Sequence, residues 1–312
     1  MTNNKKMKRI QIILSIVLLV PFAGRSQQQP MYAQYMFNGL NINPAYAGHR
    51  GVPNATMLMR RQWVDFPGAP TTGSVSFDQR ITDHNFSWGG QMYFDHIYIE
   101  RTSGVQGFFA YHAPFENSTL TLGISSGMLN YNVNYGRAFA LDAGDPQTQA
   151  VVNALLPTFG FGALWASERF YLGFSSPALL RTKYNVAGQA LISRAGAEGH
   201  YFLNGGGVFK ATPEIVIKPS FLLKAVSGAP VQADLNLNIW LHDRVGGGIS
   251  YRTEDAVYGL LELQLTDKLR FGYAYEHNIS RLVNFNQGSH EIMMRYEWGR
   301  SLREKVLSPR YY

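Results

Sequence analysis

Gln232-Ala233-Asp234-Leu235-Asn236-Leu237-Asn238-Ile239-Trp240-Leu241 alternates almost from end to end. Ala233, Leu235, Leu237, Ile239 and Leu241 hold the odd positions, and Asp234, Asn236 and Asn238 lie between them. Successive side chains of a strand point to opposite faces, so a period of two gives one greasy and one polar face. The pattern recurs. Val257, Gly259, Leu261, Leu263 and Leu265 oppose Tyr258, Glu262 and Gln264, and then Leu269, Phe271, Tyr273 and Tyr275 oppose Arg270, Gly272, Ala274 and Glu276. No window of helical length after residue 26 carries a clean i, i+3, i+4 apolar stripe, so the chain reads as all-β.

A soluble sandwich also alternates, and the polar face is what decides the solvent. Glu262, Arg270, Glu276, Glu291 and Arg295 sit mid-run among Gly, Ser and Asn, while the other face is crowded with Leu, Phe, Tyr and Trp. A polar lumen inside and lipid outside suit these two faces, and many runs begin or end in Tyr or Trp as an interfacial girdle requires. Ring closure removes the sheet edges that a membrane would not tolerate. The expectation is a transmembrane antiparallel β-barrel spanning residues 55–298. Its strands fall at 55–63, 73–81, 86–95, 103–112, 119–131, 158–167, 169–176, 200–210, 214–226, 231–242, 245–253, 256–266, 268–277 and 289–298. Fourteen is an even number, as in single-chain bacterial barrels. The two longest connections, 132–157 and 177–199, follow the fifth and seventh strands and so leave from one side. With the N-terminus in the periplasm, that side is the cell exterior.

Composition agrees with this class. The 312 residues are 46% hydrophobic, 13% aromatic and 16% charged, with 31 Gly and no Cys. That excludes a disulfide framework, a thiolate metal site, a cysteine nucleophile, a lipid-modified N-terminal cysteine and a disordered chain. A formal charge of +7 would suggest nucleic acid or an anionic surface as partner. However, Lys5, Lys6, Lys8, Arg9 and Arg25 all lie in residues 1–26, which hold no acid, and without them the charge falls to +2. Those residues have the form of a secretory signal: a basic start, an apolar run from Ile10 to Ala23, and Gly24-Arg25-Ser26 before a cut near Ser26/Gln27. The apolar run is shorter than the roughly 20 residues of a spanning helix, which disfavours an uncleaved anchor. No nucleic acid partner is expected.

Three segments do not read as strand. Residues 27–54 are too aromatic for a disordered tail and too rich in Asn, Gly and Pro for a strand, and they suit an N-terminal plug in the lumen better than a free periplasmic tail. Residues 63–72, with the turn signal Pro67-Gly68, carry apolar side chains that must fold over the pore or meet a partner. Residues 299–312 form a basic periplasmic tail ending in Tyr311-Tyr312.

Catalytic signatures are missing. The eight histidines form no metal-ligand spacing, there is no GxSxG elbow, and no Gly-rich loop precedes a helix, so no enzyme, metal or cofactor is expected. Ser289-His290-Glu291 is the tempting cluster. Adjacent strand residues point to opposite faces, which puts His290 with Ile292, Met294, Tyr296 and Trp298 on the apolar face and Ser289 and Glu291 in the lumen.

Several ordered landmarks remain: Gln34-Tyr35-Met36-Phe37-Asn38, Asn43-Pro44-Ala45-Tyr46-Ala47-Gly48, Arg61-Gln62-Trp63, Phe66-Pro67-Gly68-Ala69-Pro70, Pro219-Ser220 with Lys224, Ala229-Pro230, Tyr251-Arg252, and Gly288-Ser289-His290-Glu291-Ile292. In this order, from about Tyr32 to Tyr296, the chain resembles the PorP/SprF family, outer-membrane proteins of the type IX secretion system of Bacteroidetes. The resemblance implies a non-enzymatic role in the secretion or surface attachment of cargo with a C-terminal sorting domain, such as adhesins and gliding-motility proteins. It also implies contact with periplasmic and outer-membrane secretion components and with outer-membrane lipid. Tyr35, Asn43, Pro44, Tyr46, Gly48, Trp63, Pro67, Gly68, Pro70, Ser289, His290 and Glu291 are then structural or partner-binding positions. The competing expectation is a fourteen-stranded transporter of hydrophobic small molecules, because an N-terminal plug containing Asn-Pro-Ala also resembles such barrels.

Overall fold

The alternating runs become the staves of one closed ring. A computed structural model of the chain describes residues 31–81, 84–137, 151–177, 199–226 and 229–299. Its strands are β1 Asn54–Arg61, β2 Thr71–Arg80, β3 Phe86–Ile97, β4 Glu100–Pro114, β5 Ser118–Asn134, β6 Val151–Ser167, β7 Phe170–Ser176, β8 His200–Gly207, β9 Phe209–Lys210, β10 Ile215–Val226, β11 Gln232–Leu241, β12 Val245–Arg252, β13 Ala256–Gln264, β14 Leu269–Asn278 and β15 Ser289–Glu297. All pairings are antiparallel, and β1 pairs with β15 as well as with β2, which closes the sheet. β8 and β9 are one stave. Ser220 opposite Gly206 and Ile217 opposite Phe209 belong to a single register. The ladder lapses between them beside Pro219, which has no N–H to donate. The ring therefore has fourteen staves, as the sequence pattern requires.

The two faces follow the residue parity. On β11, Leu235, Leu237 and Ile239 are 55%, 42% and 46% exposed, whereas Asp234, Asn236 and Asn238 are 1%, 6% and 2% exposed. Exposed Leu, Ile, Val, Phe and Trp cover the outer wall of the other staves too, and water does not tolerate a continuous apolar surface of that extent. Glu262, Arg270, Glu276, Glu291 and Arg295 all point inward and are buried.

One sequence expectation needs correction. β5 and β6 run to Asn134 and from Val151, beyond the expected 119–131 and 158–167, so much of the supposed loop 132–157 is strand. Their extensions put Asn130, Asn132 and Asn153 on the outer face and Val133, Val152 and Leu156 on the inner one, which reverses the polarity that marks a strand in lipid. At 17 residues each, against the 9–11 needed to span, these strands stand clear of the bilayer. Trp240 faces inward with Asp234, Asn236 and Asn238, fully buried against Val208 and Val216, with the Arg270 guanidinium 4.5 Å from its ring. The expected leader at 1–26, residues 138–150 and 178–198 of the two long loops, and the tail from 300 onward lie outside the described residues.

Candidate functional site

Residues 31–53 precede the first stave and pack against the inner wall. Two short 3-10 turns, Gly39–Asn41 and Pro44–Tyr46, fold this segment back and forth. Asn43 explains the second turn. Its Oδ1 accepts the Ala45 N–H at 2.9 Å, capping the turn, and Pro44 supplies a preset φ at the first position. Its Nδ2 donates to the carbonyls of Ala163 on β6 and Phe174 on β7, at 3.1 and 3.4 Å. One fully buried amide thus fixes the turn and moors it to two staves. The wall is shaped to receive it: a Cβ at Gly123 would strike the backbone of Ala45, and one at Gly162 would strike the Asn43 side chain.

Other contacts hold the segment along its length. Glu291 Oε2 and Oε1 accept the N–H groups of Ala33 and Gln34 at 2.7 and 2.8 Å. Asn236 donates to the Tyr35 hydroxyl and Asn204 to the Tyr46 hydroxyl, both at 2.6 Å. Ser175 donates to the Ile42 carbonyl at 2.6 Å, and Arg295 donates to that of Phe37. Gly48, at φ +65°, brings its N–H to 2.7 Å from Asp78 Oδ2 in a conformation that side chains rarely adopt, and a Cβ there would also collide with Ser87. Tyr32, Phe37, Leu58 and Met293 form one apolar contact, and Tyr35, Ile42, Phe202 and Leu222 another.

The inner wall is charged, and five of its buried carboxylates are matched by arginines. Arg60 lies 2.5 Å from Glu276 and 3.5 Å from Glu291, Arg252 forks onto Asp234 at 2.8 and 3.0 Å, Arg270 meets Glu262 at 3.3 Å, and Arg50 meets Glu297 at 2.9 Å. Buried charges persist only when paired and hydrogen-bonded in this way. A buried Ser87-His112-Thr121 chain, at 2.6 and 2.9 Å, is sealed beneath Gly48 with no face open to a substrate.

The landmarks predicted from sequence divide accordingly. Tyr35, Asn43, Pro44, Tyr46 and Gly48 lie inside the ring with Glu291 and Ser289, and Ser289 Oγ accepts the Trp63 N–H at 3.2 Å. His290 sits on the outer wall, its Nδ1 2.6 Å from the Tyr273 hydroxyl, as parity requires. Pro67, Gly68 and Pro70 belong to the 62–70 loop at the opposite end from Gly48. There Trp63, Asp65 and Gly68 all have positive φ, Gln62 N donates to Pro70 O, and Tyr98 packs against Gly68. Arg61 is exposed and the inward, ion-paired cation is its neighbour Arg60, which the parity of Met57 and Met59 on the outer face identifies.

The family model for the type IX secretion system membrane protein PorP/SprF matches residues 24–296, most of the chain and all of the staves but the last residue. The chain belongs to the PorP/SprF family. A PorP/SprF protein is a membrane component of a secretion system, and the closed ring with its lipid-facing wall makes this one an outer-membrane β-barrel. Comparison with curated proteins gives no match. Among solved structures, the PorP/SprF barrel is similar to a FadL homologue of Pseudomonas aeruginosa, at 14% identity and TM-score 0.49, covering 86% of this chain and 95% of that one. It is also similar to a TodX deltaS2S3 mutant, a monoaromatic hydrocarbon channel, at 9% and 0.48, covering 88% and 96%. The translocator domain of the autotransporter NalP from Neisseria meningitidis follows at 11% and 0.45, covering 84% and 92%. Likenesses at these levels carry no functional argument.

Proposed function

We propose that this protein serves type IX secretion as a protein-binding scaffold, with its lumen filled by its own N-terminal segment and its outer loops and periplasmic mouth left for partners. In this reading residues 1–26 are a removed leader and residues 27–54 a plug. Secreted cargo with a C-terminal sorting domain is held at the outer surface, and Pro67, Gly68 and Pro70 shape an outer loop for that contact. The observation that supports it is the mooring of the segment. Glu291 grips two consecutive backbone N–H groups, and Asn43 ties the Pro44 turn to two staves. A segment held by charge-assisted and fully buried hydrogen bonds is a fixture of the barrel, which suits a scaffold better than an open conduit.

Deletion of the gene tests the reading. One class of surface proteins should go unsecreted or unattached while general permeability stays constant, and the solubilised barrel should bring a secretion component or cargo with it. Normal secretion of every cargo would sink the proposal. Liposomes containing the purified barrel should show neither conductance nor uptake of hydrophobic solutes, and robust uptake would favour a transporter instead.

A further inference from the structure

The outer wall sorts charge by sign and by end. Among the described strand residues every Asp and Glu has inward parity, and the ionisable Arg, Lys and His side chains on the outer wall are Arg61, His96, Arg101, His277 and His290. All five lie at the exterior ends of their staves. Four of them share one line across the sheet: His290 is opposite Arg61, Arg61 opposite Thr71, Thr71 opposite His96, and His96 opposite Arg101. Residues directly opposite one another have Cβ atoms about 4.5–5.5 Å apart, so each arginine stands beside a histidine. Three strand spacings, about 14 Å, separate Arg61 from Arg101. Among the described residues neither arginine has a carboxylate at ion-pair distance. Met59, Phe94 and Ile292, two residues nearer the periplasm, are exposed on the same wall. Trp298, packed on Phe77 and Tyr296, marks the periplasmic girdle. His290 is eight residues from it, about 27 Å along the strand and about 21 Å in height at a tilt near 40°. An apolar band is about 25 Å tall, which sets the start of the line at the exterior headgroups. Arg101 is thirteen residues above Pro114 on a longer stave, so its end of the line reaches farther into the headgroup layer.

We propose that this row is a docking site for the phosphorylated headgroup of an exterior-leaflet lipid, with Arg61 beside His290 and Arg101 beside His96 each receiving phosphate oxygens. A wall that only kept its rims wet would carry charge at both ends and of both signs. This one carries cations at one end. The guanidinium fork matches phosphate oxygens two at a time, and basic clusters at a membrane face attract anionic lipids. His290 is held for the task. Its Nδ1 is 2.6 Å from the Tyr273 hydroxyl and its ring centroid 5.2 Å from that of Tyr275. When the hydroxyl donates to Nδ1, Nε2 carries the remaining N–H, and tyrosine rings favour the headgroup level. The strands β7–β13 present none of these cations on the outer wall, so the lipid marks one side of the ring. The assignment does not depend on the nature of the cargo.

Full-length barrel in a neutral detergent is titrated with diphosphoryl lipid A and with the same lipid stripped of its phosphates, and bound lipid is counted by native mass spectrometry. The stripped lipid should bind about 30-fold more weakly, at about 5-fold per arginine. Arg61→Gln and Arg101→Gln should each weaken the phosphorylated lipid by about 5-fold, and together they should bring it near the level of the stripped one. Arg244→Gln with Lys268→Gln removes two exposed cations from periplasmic turns and should bind as the parent does. Inorganic phosphate should not displace the lipid. The comparison of the two lipids on the native chain holds even if a variant fails to fold. Equal binding of the two lipids, unaltered binding by the folded Arg61→Gln, Arg101→Gln double variant, or an equal loss in the periplasmic control overturns the proposal. Displacement by inorganic phosphate overturns it too, in favour of a site for free anions.

Discussion

Glu291→Gln is the most informative perturbation of the lumen. The carboxylate accepts the Ala33 and Gln34 N–H groups at 2.7 and 2.8 Å and sits 3.5 Å from Arg60. A glutamine of the same shape offers one oxygen, so one backbone N–H keeps a neutral acceptor while the other meets an NH2 group. Arg60 retains Glu276 at 2.5 Å, so the loss falls on the segment and not on the arginine. Hydrogen bonds to charged groups contribute about 1.5–3 kcal/mol each. With one lost and one weakened, the segment's docking should weaken by about 2–3 kcal/mol, a 30- to 150-fold rise in its open population. Hydrogen exchange read by mass spectrometry on the refolded barrel measures this directly. Peptides covering residues 31–48 should exchange faster by that factor, while peptides from β4 and β5 keep their protection. Equal protection of residues 31–48 in the variant and the parent would refute the account of how the segment is held.

Further expectations follow from the same geometry. Asn43→Ala removes the turn cap and two stave contacts and should cost about 2 kcal/mol, seen as protease cleavage between residues 31 and 53 with the staves intact. Gly162→Ala forces a methyl against the Asn43 side chain and should displace the same segment at about 1–3 kcal/mol, whereas Gly259→Ala, with open space at its Cβ, should leave exchange unchanged. Leu237→Arg places a cation on the outer wall and should destabilise the folded barrel by about 2–4 kcal/mol in a guanidinium titration from vesicles. Leu237→Phe should be close to neutral there.

How far the sequence alone leads depends on which interactions are local. Parity along a single strand identified the inward Glu291 and the outward His290, because the choice between lipid and lumen is made residue by residue. It failed where the outer face is polar and the inner face apolar, as at Asn130, Asn132 and Asn153, since the extensions of β5 and β6 have no lipid to demand a greasy exterior. At Trp240 parity gives the inward direction correctly, and the Arg270 cation over its ring explains why an aromatic is accepted on the polar face. The moorings of the segment were illegible for another reason. Glu291 and its two backbone donors are separated by more than 250 residues, and nothing in either stretch names the other.

The pairing of β1 with β15 orders events in assembly as well as closing a wall. The stave that completes the ring is the last to leave the ribosome, and it carries both Glu291 and Arg295, which hold the segment synthesised first. A nascent or interrupted chain lacks these clasps, so the stretch Ala33–Phe37 is not fully held until the final hairpin arrives, even where earlier staves already hold Asn43 and Gly48. Capture of the segment therefore reports that the cylinder has been finished. A quality check that recognises the loose segment would separate complete from incomplete barrels without inspecting any stave.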